Sequence, residues 1–213
     1  GDLVCDVGAG AAHLTCKLAQ AGLRVRAVEP NDAMRANGIK KTADFDTVEW
    51  FEGVGEHTGM LDDTFNLVTF GSSFNVCDRQ KALYETGRIL KARGWFACMW
   101  NHRDLEDALQ AEIEAIFQEE IEHYTYGTRR EDQRAVIDAS GLFREVIYIE
   151  GTVLHNVLAE DFIEGWKSHG TLQRQSREKF DLINGRIRRL IESKGQTHLK
   201  VPYTTRIWMA QLK

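Results

Sequence analysis

The segment that most limits what this chain can become lies at its start. Leu3-Val4-Cys5-Asp6-Val7 is an apolar run with the length of a buried strand, and it leads straight into Gly8-Ala9-Gly10-Ala11-Ala12. Glycines at such a turn give the backbone access to left-handed angles. They also let it come close to a ligand at the N-terminus of the next helix. Residues 13–21 read as that helix, with Leu14 and Leu18 on one face and Gly22 as its stop. A strand, a glycine turn and a helix in that order point to an α/β fold, in which the turn is either a tight strand-to-helix connection without ligand or a binding site at the carboxyl end of the first strand.

The pattern repeats. Strands are predicted at 25–28, 48–51, 67–70 and 95–100, with a short helix through Gly38 capped by Asn31 or Asp32 and an amphipathic helix over 79–90. This alternation predicts a Rossmann-like, mainly parallel sheet with helices on both faces. After Asn101 the rhythm changes: helices are predicted at 105–121, 131–140, 161–169 and 178–193, and strands at 143–154 and 203–212. Only Pro30 and Pro202 occur, so no proline-rich linker divides the chain. It reads as one domain, 1–213, with a cofactor-binding half (1–104), substrate-side helices and a late strand (105–200) that cap the site, and a final strand (201–213).

A net charge of -5 gives no overall basic footprint for nucleic acid. No apolar run nears the ~20 residues of a membrane span, and no signal peptide is visible. Cys5, Cys16, Cys77 and Cys98 form no C-x-x-C pair, so neither zinc nor another metal is expected, and buried reduced thiols of a cytoplasmic protein are.

A Gly-x-Gly turn serves both dinucleotides and S-adenosylmethionine (SAM). Asp6 favours the second. A carboxylate two residues before Gly8, facing the ligand, would repel a pyrophosphate but favour the ammonium and sulfonium of SAM. His13 also stands where the dinucleotide fingerprint has its third glycine. Glu29, about 20 residues beyond the glycines, is placed to accept from both ribose hydroxyls.

These segments resemble the class I SAM-dependent methyltransferases. Leu3 to Gly10 resembles their first motif, and Val28-Glu29-Pro30-Asn31-Asp32-Ala33-Met34 their next. Gly53-Val54-Gly55-Glu56 with Asp62 to Val68, the turn Leu90 to Trp95, and Trp100-Asn101-His102-Arg103-Asp104 are similar to later ones, the last as in the trans-aconitate and ubiquinone-type groups. The match covers 3–104. It implies a seven-stranded sheet with the last strand antiparallel. Asp6, Gly8, Gly10, Gly71 and Ser72 would lie on the methionine part, Glu29 and Pro30 at the ribose, and Asn31 and Met34 beside ribose and adenine. Val54 stands where the family usually has Asp, so adenine recognition would rest on backbone groups of Val54, Gly55 and Glu56, or on the Glu56 carboxylate. Ala12 replaces a glycine. The family also commonly carries a helical segment ahead of the first motif, so an upstream segment is expected here.

Methyl transfer mainly requires alignment and, for a hydroxyl or ammonium nucleophile, a base. Residues 72–75 and 100–102 are expected to line the acceptor side, with Asn75 orienting and His102 as candidate base. Phe74 and Trp100 either pack against the sulfonium or belong to the core. Tyr124, Tyr126, Arg129 and Arg130 are further pocket candidates. The basic run Arg174, Arg177, Lys179, Arg186, Arg188 and Arg189 is either a solvated face or an attraction for acidic partners. The expected acceptor is a small, partly apolar molecule with an anionic group; neither nucleic acid nor membrane is an expected partner. The competing readings are a non-catalytic SAM-binding or partner module and, opposed by Asp6, an NAD-linked oxidoreductase.

Overall fold

A computed structural model describes residues 1–213. Seven strands form one sheet in the order β3-β2-β1-β4-β5-β7-β6: β1 Leu3–Val7, β2 Arg24–Val28, β3 Val48–Phe51, β4 Phe65–Gly71, β5 Leu90–Arg103, β6 Ile147–Leu158 and β7 His198–Gln211. The first five are parallel, with Asp6 of β1 opposite Ala27 of β2 and Thr69 of β4. β7 is antiparallel to both its neighbours: Thr205 bonds Asn101 while Gln211 bonds the Arg93 carbonyl, and Thr152 meets Thr204 while Glu150 meets Arg206. The expected mixed sheet is present.

Helices α1 His13–Gln20, α2 Asp32–Lys41 and α3 Arg79–Ile89 connect the parallel strands. Asn31, not Asp32, caps α2, accepting from the Met34 N–H at 3.0 Å. The later helices are α4 Ala108–Glu120, α5 Arg134–Ala139, α6 Ala159–Lys167, α7 Gly170–Ser176 and α8 Phe180–Ser193. No helix is long and apolar enough to cross a membrane.

The chain divides into two compact units. The first is Gly1–Trp100, Thr128–Glu150 and Arg206–Lys213; the second is Asn101–Gly127 and Gly151–Thr205. Residues 128–150, grouped by sequence with the substrate-side helices, thus cluster with the cofactor half. The reason is packing: Ile137 and Phe143 are buried in the first core with Phe65, Phe70, Phe74, Phe96, Trp100 and Trp208. The second core is built from Ile113, Phe117, Trp166, Leu172, Ile183 and Ile187. In α6 and α8 one face is apolar, with Ile163, Trp166, Ile183, Ile187 and Ile191 buried at helical spacing.

Candidate functional site

Strand order reverses between β1 and β4, so the carboxyl ends of these strands open a crevice where such sheets bind ligands. The glycine turn lies there. Gly8 and Gly10 have φ of +67° and +56°, and Ala12 takes +69° despite its side chain. The N–H groups of Gly8 and Ala9 both donate to the Val28 carbonyl, at 2.8 and 3.1 Å. The turn is therefore tied to the end of β2. A Cβ at Gly8 would sit 2.4 Å from Ser73 Cβ, and Ser73 Oγ donates to the Val7 carbonyl at 2.5 Å. Ser73 thereby presses the turn from the side of β4.

Glu29 is 7% exposed, and its carboxylate joins two backbone segments. Oε2 accepts from the Gly10 N–H at 2.8 Å and Oε1 from the Asn31 N–H at 2.9 Å, across Pro30. A carboxylate offers about four lone-pair sites. The two that remain suit two ribose hydroxyls, and this is the fit expected of a SAM site. Two apolar side chains close by sequence stay in the open: Met34 is 42% and Val54 43% exposed, and the Met34 methyl lies 3.5 Å from a Cβ built on Gly10. Such surfaces are suited to cover a nucleoside.

Asp6 is placed differently from the sequence expectation. It is 1% exposed and points inward, accepting from Thr15 Oγ1 at 2.7 Å and Thr69 Oγ1 at 2.9 Å, and also from the Thr15 N–H. It caps α1 from the neighbouring strand, supplying the acceptor that Ala12 at the N-cap lacks. Burial pushes its carboxyl up to about 6, and the threonine bonds only partly offset this. Thr15 and Thr69 escaped the sequence reading because a hydroxyl on a strand or helix carries no motif of its own, while Ser73, expected on the acceptor side with residues 72–75, braces the glycine turn.

The adenine-side expectation also shifts. Val54 and His57 exchange both backbone hydrogen bonds at 3.1 Å, so the Val54 N–H is committed and its carbonyl keeps one lone pair. The Gly55 N–H bonds Cys77, whose sulfur would lie 2.5 Å from a Cβ on Gly55. Glu56 Oε1 accepts from the Asp78 N–H at 2.5 Å, which leaves its other oxygen. Of the expected trio, Glu56 retains the most capacity. Thr58 anchors the same loop to α3: its N–H and hydroxyl both donate to Glu85 Oε1, at 2.8 and 2.5 Å.

Gly71 ends β4 against Leu14, and Ser72 follows at φ +63°, an angle costly for a residue with a Cβ. Asn75 sits in a 3₁₀ turn, Phe74–Val76, and accepts from Trp100 Nε1 at 2.8 Å. Phe74 and Trp100 are 0% and 2% exposed, packed with Phe70 and Phe96 and with Trp208; they belong to the core and offer no face to a sulfonium.

His102 is 2% exposed and lies in the second unit. In that unit Arg103 bonds Glu114 and Tyr126, both at 2.8 Å, and stacks over Phe117 and Trp166. Tyr124 is buried between Phe117 and Tyr126. Arg129 and Arg130 fall in the 3₁₀ turn Gly127–Arg130. Half of the basic run is matched by acids: Arg186 pairs with Glu119 and Glu120, Lys179 with Glu120, and Arg188 with Glu160, Glu164 and Glu192, while Arg174, Arg177 and Arg189 are exposed.

The methyltransferase-domain family matches residues 5–98, the stretch that carries the glycine turn, Glu29 and the strands around them. Over residues 5–98 the chain is similar to that family. An uncharacterised methyltransferase of Mycobacterium tuberculosis is 32% identical over 101 residues, covering 47% of this chain and 40% of its own length. The ubiquinone/menaquinone biosynthesis C-methyltransferase of Zymomonas mobilis is 31% identical over 99 residues, 45% of this chain and 41% of that one. The chain thus spans about two fifths of the length of the curated relatives it matches. Among solved structures, a candidate type II methyltransferase from Anaeromyxobacter dehalogenans superposes with a TM-score of 0.68 at 15% identity, covering 98% of this chain and 88% of that one. Haemonchus contortus phosphoethanolamine N-methyltransferase 2, solved with SAM, gives 0.58 at 15%, covering 99% and 48%. These structures share the fold of the chain.

Proposed function

We propose that the chain is a SAM-dependent methyltransferase that acts on a small-molecule acceptor in the cytoplasm. The observation that carries this reading is the left-handed Gly8–Ala12 turn, bonded through the Gly10 N–H to Glu29 at the point where strand order reverses. When bound, SAM supplies a methyl carbon already activated by its sulfonium. The chain's part is to hold and orient. Glu29 accepts the ribose hydroxyls, Met34 and Val54 cover the adenine, and Glu56 meets its polar edge. Asp6 contributes negative charge from beneath the turn, through its threonines, rather than by contact. Asn75 and His102 are assigned to the acceptor, Asn75 for orientation and His102 for proton removal. His102→Ala should then lower turnover and flatten the acid limb of its pH profile; a wild-type profile would remove it from the mechanism.

Calorimetry tests the assignment. SAM and S-adenosylhomocysteine should bind and NAD should not. Glu29→Ala should weaken SAM by about 1.5–3 kcal/mol, the worth of hydrogen bonds to a charged acceptor. Wild-type affinity in Glu29→Ala would sink the ribose assignment, and tight NAD binding would sink the whole reading.

A further inference from the structure

The Asn75 side chain has a fixed sense. An indole N–H only donates, so the atom that faces Trp100 Nε1 at 2.8 Å must be the amide oxygen. The amide cannot turn over without setting two N–H donors against a third. Trp100 is itself held: it meets Trp208 edge-on, with ring centroids 5.8 Å apart, and Trp208 donates to Asp132 at 2.9 Å and packs on Tyr148. The sequence Asp132, Trp208, Trp100, Asn75 thus settles which end of one amide is committed to the protein. The other end, Nδ2, carries two donors for which Asn75 is only half-buried.

The turn bearing Asn75 is fixed at both sides to the parts of the cofactor site. Two residues before it, Ser73 holds the Val7 carbonyl and abuts Gly8. Two residues after it, Cys77 takes the Gly55 N–H and fills the space beside Gly55. Trp100 comes from the carboxyl-terminal part of β5, beside β4, where the acceptor is placed by the reading above.

We infer that Asn75 is a specificity-determining hydrogen-bond donor, locked by Trp100, that selects acceptors presenting an anionic or carbonyl oxygen and disfavours those presenting an ammonium at that point. The inference rests on the methyltransferase reading and adds the chemical class of the acceptor. An amide held in this sense can orient an oxygen but cannot remove a proton, so Asn75 positions and does not act as base.

The test uses the full chain, labelled with nitrogen-15 and saturated with S-adenosylhomocysteine, and titrates it with sodium benzoate or methylammonium chloride. Benzoate should shift the Asn75 side-chain amide resonances saturably, and methylammonium should not at equal concentration. Asn75→Asp is nearly isosteric, keeps an acceptor for the Trp100 indole and loses the donors. It should bind benzoate at least tenfold more weakly, while S-adenosylhomocysteine affinity stays within twofold. Trp100→Phe, which frees the amide, should weaken benzoate binding in the same direction if the variant folds. Wild-type benzoate affinity in Asn75→Asp, or an equal response to methylammonium, would overturn the inference. Failure of the underlying reading would look different: S-adenosylhomocysteine would leave the Gly8 and Gly10 backbone amides unmoved.

Discussion

In the first unit the most deeply buried carboxylate is Asp6, held by two threonine hydroxyls and one backbone N–H with no cation paired to it, whereas Glu85, also buried, pairs with Arg88. In the second the buried charge is Arg103, which has a carboxylate, a phenol and two aromatic rings around it. A charge surrounded by opposite charge and flat rings is a finished piece of core. A buried carboxylate with only neutral partners is unfinished: its carboxyl titrates near 6, and any cation brought close would favour its ionised form. The contrast separates a region built to stay folded from one that keeps electrostatic capacity for a ligand.

The largest expected effect tests the finished half. Arg103→Met leaves Glu114 and Tyr126 without their cation and should cost about 3–5 kcal/mol in urea unfolding, as broken buried pairs do. Faster amide exchange in α4 should mark where it is lost. A cost below about 1 kcal/mol would mean that the aromatic packing alone holds this region.

Asp6→Asn sharpens the other half. The folded-state carboxyl, at about 6, lies above its ordinary unfolded value near 3.9, so folding favours the protonated form. The stability this gives is complete below pH 4 and is lost as pH rises through 6. Asp6→Asn, neutral throughout, should match the wild type at pH 4 and exceed it at pH 7.5 by on the order of 1–3 kcal/mol. Binding should run the opposite way. Wild-type affinity for SAM relative to S-adenosylhomocysteine should fall as pH drops through 6, and in Asp6→Asn that preference should be small and flat. An unchanged ratio would reduce Asp6 to a cap for α1.

The smallest effect concerns Ala12. Ala12→Gly relieves a left-handed φ of +69° but adds freedom to the unfolded chain, so melting should show a gain within about 1 kcal/mol. A clear loss would show that the Ala12 methyl, fully buried, matters more than its strain.

The parallel half of the fold was legible because each of its signals is local. Glycines at 8 and 10, the acid at 29 and the strand runs between them carry their meaning within a few residues, and β1 and β3 fall where the apolar runs put them. Legibility ended where partners are distant in sequence. Nothing near Asp6 announces Thr69, 63 residues on, so the carboxylate was read as facing outward. The sequence around Val54 does not announce the bridge to His57, which commits the Val54 N–H. β5 was read as six residues and runs from Leu90 to Arg103, because Arg93 at φ +61° and Gly94 look like a turn but are carried within the strand. Arg103 was read only as part of a motif, since its partners Glu114, Phe117, Tyr126 and Trp166 converge on it by folding alone.

The contact between Ser73 and Gly8 also limits how this chain can vary. The two positions are 65 residues apart, yet a single added carbon at residue 8 would overlap the Ser73 side chain at 2.4 Å. Residue 8 is confined to glycine twice, by its left-handed angle and by this neighbour. Shrinking residue 73 to glycine removes only the second restriction and gives up the hydroxyl on Val7. The pair therefore has no compensating exchange. Substitution in this chain can pass through the neighbouring positions 9, 11 and 12, which carry side chains, but the 8–73 contact is a fixed point around which the rest of the turn must be re-engineered.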